Sequence, residues 1–136
     1  MSAKPTILFL CVHNAGRSQI AAALATMISG GRVDVRSAGS EPADQIHPNV
    51  RAVMAELGID LAAERPKLIT DDAVREADAV ITMGCGDACP VYPGKRYEDW
   101  QIDDPAGATL AETRRIRGLL RLRVERLLCD LGVMAR

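Results

Sequence analysis

Apolar positions run unbroken from Ile7 to Leu10, between Thr6 and the thiol of Cys11. A short continuous apolar run of this kind predicts a strand, Thr6–Cys11, buried on both faces. Ala79–Met83 has the same character and predicts a second buried strand. Val33–Ser37 and Tyr97–Ile102 predict two more. Arg17–Ser29 is rich in Ala and Leu and predicts a helix stopped by Gly30-Gly31. Pro48 stands at a first helical position, and Asn49–Leu57 continues that helix to Gly58. Asp71–Ala77 predicts a short helix capped by Thr70. Leu110–Leu131 predicts a long amphipathic helix with Ile116, Leu120, Val124, Leu127 and Leu131 on one face. Gly84–Lys95 holds three Gly, two Pro and two Cys, and predicts a loop or a frayed helix. Strands alternating with helices predict an α/β fold. The expected architecture is a single three-layer domain over residues 1–136, a four-stranded parallel sheet flanked by helices. Such sheets bind ligands beyond the carboxyl ends of their strands. Cys11 and the segment Met83-Gly84-Cys85 fall at such ends.

Composition narrows the function classes. The 136 residues suit one domain, and 48% apolar content is enough for an ordinary core. With one Phe, one Trp and two Tyr, that core must be mainly aliphatic. A net charge of −1 carries no basic bias toward nucleic acid. No apolar stretch approaches the ~20 residues of a membrane span. The N-terminus has no export-signal pattern, so a cytoplasmic location is expected. Four cysteines in such a chain imply reduced thiols with chemical roles rather than a disulfide framework.

The chemistry concentrates at Cys11-Val12-His13-Asn14-Ala15-Gly16-Arg17-Ser18. A thiol, five intervening residues, an arginine and a serine lie between a strand and a helix. Backbone N–H groups at a helix start converge on one spot, and the helix dipole favours negative charge there. The same field favours a thiolate nucleophile. Gly16 allows close backbone approach, Arg17 can grip two oxygens of an oxyanion, and Ser18 can donate to the sulfur. The bland alternative for Cys11, a buried structural thiol, leaves these neighbours unexplained. Substrate-binding candidates are therefore residues 12–18, from Val12, His13, Asn14 and Ala15 through Gly16 and Arg17 to Ser18. Asp103-Asp104-Pro105-Ala106-Gly107 offers a carboxyl that could protonate a departing oxygen, although an Asp-Pro alone reads equally as a turn before a helix. Cys85 and Cys89 supply two further thiols. They do not suggest zinc, because a structural site needs four ligands and no second close Cys or His pair exists. No metal is expected.

The Cys-x5-Arg-Ser loop at the N-terminus resembles that of the low-molecular-weight tyrosine phosphatase fold. In that fold a general-acid aspartate lies on an Asp-Pro loop before the last helix, and the resemblance puts Asp104 in that role. The Cys85-Gly86-Asp87-Ala88 and Cys89-Pro90 pieces, with Trp100 and the Asp-Asp-Pro-Ala-Gly run, are similar to phosphatase-like, thioredoxin-coupled arsenate reductases. The resemblance implies arsenate reduction, with Cys11 as nucleophile and a disulfide relay through Cys85 and then Cys89. It implies arsenate or phosphate as the bound oxyanion and no bound cofactor. An external thiol reductant is implied, either thioredoxin or a small thiol such as mycothiol working with a glutaredoxin-like protein. The chain also departs from the family. Gly16 replaces a cysteine common before the loop arginine, His13 replaces a glycine, and the Cys85–Cys89 spacer is short. Ala22 replaces a glutamate that helps some members bind potassium. The rival readings are a tyrosine phosphatase and a non-catalytic oxyanion-binding redox sensor. Against the first, Ala106-Gly107 follows Asp104-Pro105 where such phosphatases carry aromatic residues. Against the second stands the retained Asp104.

Four features keep bland readings. Cys129 reads as a core or partly buried thiol, and His47 as a helix-start residue. His13 reads as a shaper of the anion loop. The arginines 114, 115, 117, 121, 123 and 126 read as a solvated helix face.

Overall fold

The computed structural model describes residues 4–84 and 92–134. Four strands, β1 (Thr6–Cys11), β2 (Asp34–Gly39), β3 (Ala79–Met83) and β4 (Arg96–Asp99), form one sheet in the order β2-β1-β3-β4. Every pairing is parallel, with Leu8 opposite Arg36 on one side and Val80 on the other. The helices are α1 (Arg17–Ser29), α2 (Pro48–Ala55), α3 (Asp71–Glu76) and α4 (Leu110–Asp130).

Strand alternation divides the core. Ile7, Phe9 and Cys11 of β1 face one way with Ala79, Ile81 and Met83 of β3, packed with Ile20, Leu24, Val53, Ile116, Leu120 and Val124 from α1, α2 and α4. Leu8, Leu10 and Val80 face the other way, with Val74 of α3 and Ala77 beyond its end. Both faces are covered, which is why β1 reads as an apolar run and not an alternation. The strand order reverses between β1 and β3, so their carboxyl ends flank the crevice where such folds bind ligands. Cys11 pairs with Met83 at that point.

The expected elements are all present, and their ends shift where register decides. β2 begins at Asp34 and runs on to Gly39, because Ala38 and Gly39 pair with Leu10 and Cys11. β4 stops at Asp99. Trp100 keeps one ladder bond, N–H to the Thr82 carbonyl at 2.8 Å, then turns inward against Phe9. Helix α2 ends at Ala55, and the chain reverses at Gly58, whose φ of 77° favours glycine. Thr70 caps α3 by accepting from the Ala73 N–H.

The arginines of α4 differ from a uniformly solvated face. Arg114 and Arg117 both bind the Glu56 carboxylate at the end of α2, at 2.7 and 2.8 Å. Arg115 binds Glu112 and Asp103. The sequence pattern could not reveal this, because Glu56 and Asp103 come from other elements. Hydrogen bonds from Arg114, then Arg117, lower the Glu56 pKa from the usual 4.5 to about 2. A depressed carboxylate stabilises the fold above its ordinary pKa, and that contribution is lost as pH falls from about 4.5 through about 2. A Glu56→Gln variant should therefore melt below the wild type at pH 7, with the gap closing on acidification to pH 2. A gap in melting temperature independent of pH would contradict this.

Candidate active site

The loop after β1 is built outward from its carbonyls. Those of Cys11, Val12, His13 and Ala15 accept N–H bonds from Ser40, Glu41, Ala43 and His47, at 2.8–3.3 Å, and that of Gly16 accepts from Ile20. With the carbonyls turned away, the N–H groups point inward. Among the described residues, no backbone N–H of residues 13–18 donates to a protein acceptor. Helix α1 starts at this loop with no side-chain cap and no acidic residue in its first turn. Its positive end is thus left to the loop.

Asn14 fixes this shape. It is fully buried at φ 49°, a left-handed conformation that Asn tolerates better than most residues. Its Nδ2 donates to Ser18 Oγ at 2.7 Å. Its Oδ1 accepts from the Lys67 N–H at 2.9 Å and from Gln19 Nε2 at 3.3 Å. Gln19 Nε2 also reaches the Asn14 carbonyl at 3.1 Å. Ser18 Oγ lies 2.9 Å from Cys11 Sγ. Because Ser18 accepts from Asn14, its own hydrogen is free to point at the sulfur, the only polarity a thiolate permits. Gly39 lets the loop approach, since a Cβ there would lie 2.5 Å from the Val12 carbonyl. Replacing Asn14 by Ala would remove the acceptor of the Lys67 N–H and place a residue less tolerant of positive φ at that turn. The expected loss is about 1–3 kcal/mol or more in urea unfolding, and an unchanged midpoint would contradict it.

Arg17 lies over the loop, with its side chain 11% exposed. Its Nη1 donates to the Ile102 carbonyl at 3.2 Å, and Nη2 lies 3.7 Å from Asp104 Oδ2. Nε is buried without an acceptor among the described residues. A buried N–H without a protein acceptor can donate to a bound anion, and a guanidinium has the geometry to grip two oxygens at once. Asp104 is 42% exposed. Its Oδ1 accepts from the Ala106 N–H at 3.0 Å, an Asx turn that leaves Oδ2 toward Arg17.

The structure thus brings together Cys11, Asn14, Arg17, Ser18 and Asp104. Val12, His13, Ala15 and Gly16 lie in the same loop, with His13 Nδ1 turned outward to the Glu41 carbonyl at 3.0 Å. Cys85 and Cys89 lie outside the described residues. Gly84, the residue before Cys85, has φ 88°, and a Cβ there would meet Arg17 Nη1 at 2.9 Å. Gly16 has a physical reason to lack a side chain, since its Cβ would lie 2.7 Å from Pro105 Cγ. A cysteine at 16 would push away the loop that carries Asp104. Cys129 is partly buried in the last turn of α4. Sequence reasoning missed Gln19, Gly39, Asn49 and Lys67, which support the loops. Only Gly39, a glycine closing a strand beside an expected binding edge, left a signal. Among the described residues no cluster of His, Cys, Asp or Glu could hold a metal ion, and no helix is long and apolar enough to cross a membrane.

Fold and loop define a class: a doubly wound parallel-sheet protein with a cysteine-headed loop of inward N–H groups at its switch point. The model of the low molecular weight phosphotyrosine protein phosphatase family matches residues 6–134, and the chain belongs to that family. It is 34% identical over 129 residues to the glutaredoxin arsenate reductase of Synechocystis, covering 93% of this chain and 98% of that one. It is 37% identical over 126 residues to arsenate reductase 1 of Staphylococcus epidermidis, covering 90% and 94%. Among solved structures it resembles a thioredoxin-dependent arsenate reductase of Corynebacterium glutamicum, with TM-score 0.86 and 46% identity. That match covers 97% of this chain but 64% of the longer corynebacterial chain.

Proposed function

We propose that this protein reduces arsenate to arsenite, with Cys11 as nucleophile, Asp104 as general acid and Cys85 and Cys89 as relay thiols. The loop amides of residues 13–18 and the Arg17 fork hold the oxyanion. Cys11 Sγ attacks arsenic, an As–S bond forms, and one oxygen leaves as water after Asp104 protonates it. A second thiolate then attacks Cys11 Sγ. An S–S bond forms, the As–S bond breaks, and its electron pair stays on arsenic, taking As(V) to As(III). Cys89 attacks Cys85 next and frees Cys11. An external dithiol protein of the thioredoxin or glutaredoxin class, or a small thiol such as mycothiol, reduces the final disulfide.

The observation that carries this reading over phosphatase chemistry is the place of Gly84. It lies against Arg17, so the chain that leads directly into Cys85 starts at the oxyanion site. A phosphatase needs no thiol there, because water completes its turnover. The relatives named arsenate reductase, at 34–46% identity, support the same conclusion.

The test is arsenite production by the purified protein, supplied in parallel with thioredoxin and its reductase or with mycothiol and a glutaredoxin-like protein. Sustained arsenite formation with one of these is expected. Hydrolysis of aryl phosphates or phosphoarginine, with no arsenite from either system, would overturn the reading.

A further inference from the structure

The acid loop is held to the anion loop through neighbouring residues at the start of α2. On one side, the His47 N–H donates to the Ala15 carbonyl of the anion loop at 3.0 Å. Two residues on, Asn49 Nδ2 donates to the Pro105 carbonyl at 2.7 Å and to Thr113 Oγ1 at 2.9 Å, with the Ala108 carbonyl at 3.4 Å. The partners fix the orientation of the amide. Two are carbonyls, and Thr113 already spends its hydrogen on the Thr109 carbonyl at 2.7 Å. The nitrogen of Asn49 must therefore face them.

Beyond the Arg17 contacts, Nη1 to the Ile102 carbonyl at 3.2 Å and Nη2 at 3.7 Å from Asp104 Oδ2, few hydrogen bonds reach this segment. Pro105 has no N–H, and Ala106 and Ala108 donate within the loop itself, to Asp104 Oδ1 and the Pro105 carbonyl. The Asp103–Arg115 ion pair is exposed and contributes little. Among the described residues, Asn49 is the only side chain outside the loop that hydrogen-bonds the main chain between residues 104 and 108. Pro105 is buried and packs beside Gly16, an apolar contact that adds to these hydrogen bonds.

We infer that Asn49 is a positioning residue for Asp104. The short span from His47 to Asn49 sets the distance between the anion loop and the carboxyl that protonates the departing oxygen. This rests on the reading of Asp104 as general acid. A misplacement of about 1 Å can cost as much as 10²-fold in rate.

The experiment compares Asn49→Ala and Asn49→Asp with the wild type and with Asp104→Asn, alone and combined. Asn49→Asp keeps the volume but turns a donor into an acceptor facing two carbonyls. Two quantities are read: the single-turnover rate of arsenite release, and the protection of Cys11 from alkylation by inorganic phosphate. Both Asn49 variants should release arsenite about 10- to 100-fold more slowly, with phosphate protection unchanged. In the Asp104→Asn background the same changes should have no further effect, since the group they position has been removed. Near-normal rates in both Asn49 variants, lost phosphate protection, or an equal loss in the Asp104→Asn background would overturn the inference. If Asp104→Asn is itself without effect, the general-acid reading fails, and the positioning role with it.

Discussion

Cys11→Ser should bring arsenate reduction to background, a loss of roughly 10⁴-fold or more, the scale seen when a covalent nucleophile is removed. Two independent reasons make the loss this deep. A serine hydroxyl at the end of β1 is not ionised at neutral pH, so attack on arsenic fails. Any ester that did form would also be a dead end, because oxygen cannot accept the second thiol as a disulfide partner and no electron pair is delivered to arsenic. Oxyanion binding should survive, since the loop N–H groups and Arg17 do not depend on sulfur. Equilibrium binding of phosphate to the variant separates the two effects. Arsenite formation above background in Cys11→Ser would show that the chemistry lies elsewhere.

Asp104→Asn should slow arsenate turnover by roughly 10²–10⁴-fold, the range of a positioned acid–base group. The amide keeps the acceptor for the Ala106 N–H, so the turn that shapes the loop should persist. What disappears is the transferable proton on the oxygen that faces Arg17. Phosphate should still bind, because the loop N–H groups and Arg17 are unchanged. A variant that keeps more than about a tenth of the wild-type rate would remove Asp104 from the role that general-acid magnitudes require.

The sequence shows the anion loop clearly because it is local. Cys11, Arg17 and Ser18 belong to one strand-loop-helix connection, and their spacing alone places them around one point. Asp104 was legible only with help from the family resemblance, since an Asp-Pro reads equally as a turn. Of the supports, only Gly39 left a sequence signal. Lys67, Gly39 and Asn49 come from three other segments, and each acts through a main-chain or amide contact set by tertiary packing. The limits of β2 and β4 illustrate the same point. Ser37-Ala38-Gly39 looks like the end of a strand until β1 supplies partners for Ala38 and Gly39. Trp100 and Ile102 look like strand residues because they are buried, yet they leave the ladder to pack inward. The paired arginines of α4 were invisible because charge pattern on one helix says nothing about Glu56 on another.

In the proposed mechanism, arsenic receives its two electrons from Cys11 and a second thiol of the same chain. The direct test reacts fully reduced Cys89→Ser protein with arsenate in the absence of any external reductant, then measures arsenite and maps disulfides by peptide mass spectrometry. A stoichiometric burst of arsenite is expected, with a Cys11–Cys85 disulfide formed at the same rate. No arsenite, or arsenite released while Cys11 and Cys85 both remain open to alkylation, would contradict it.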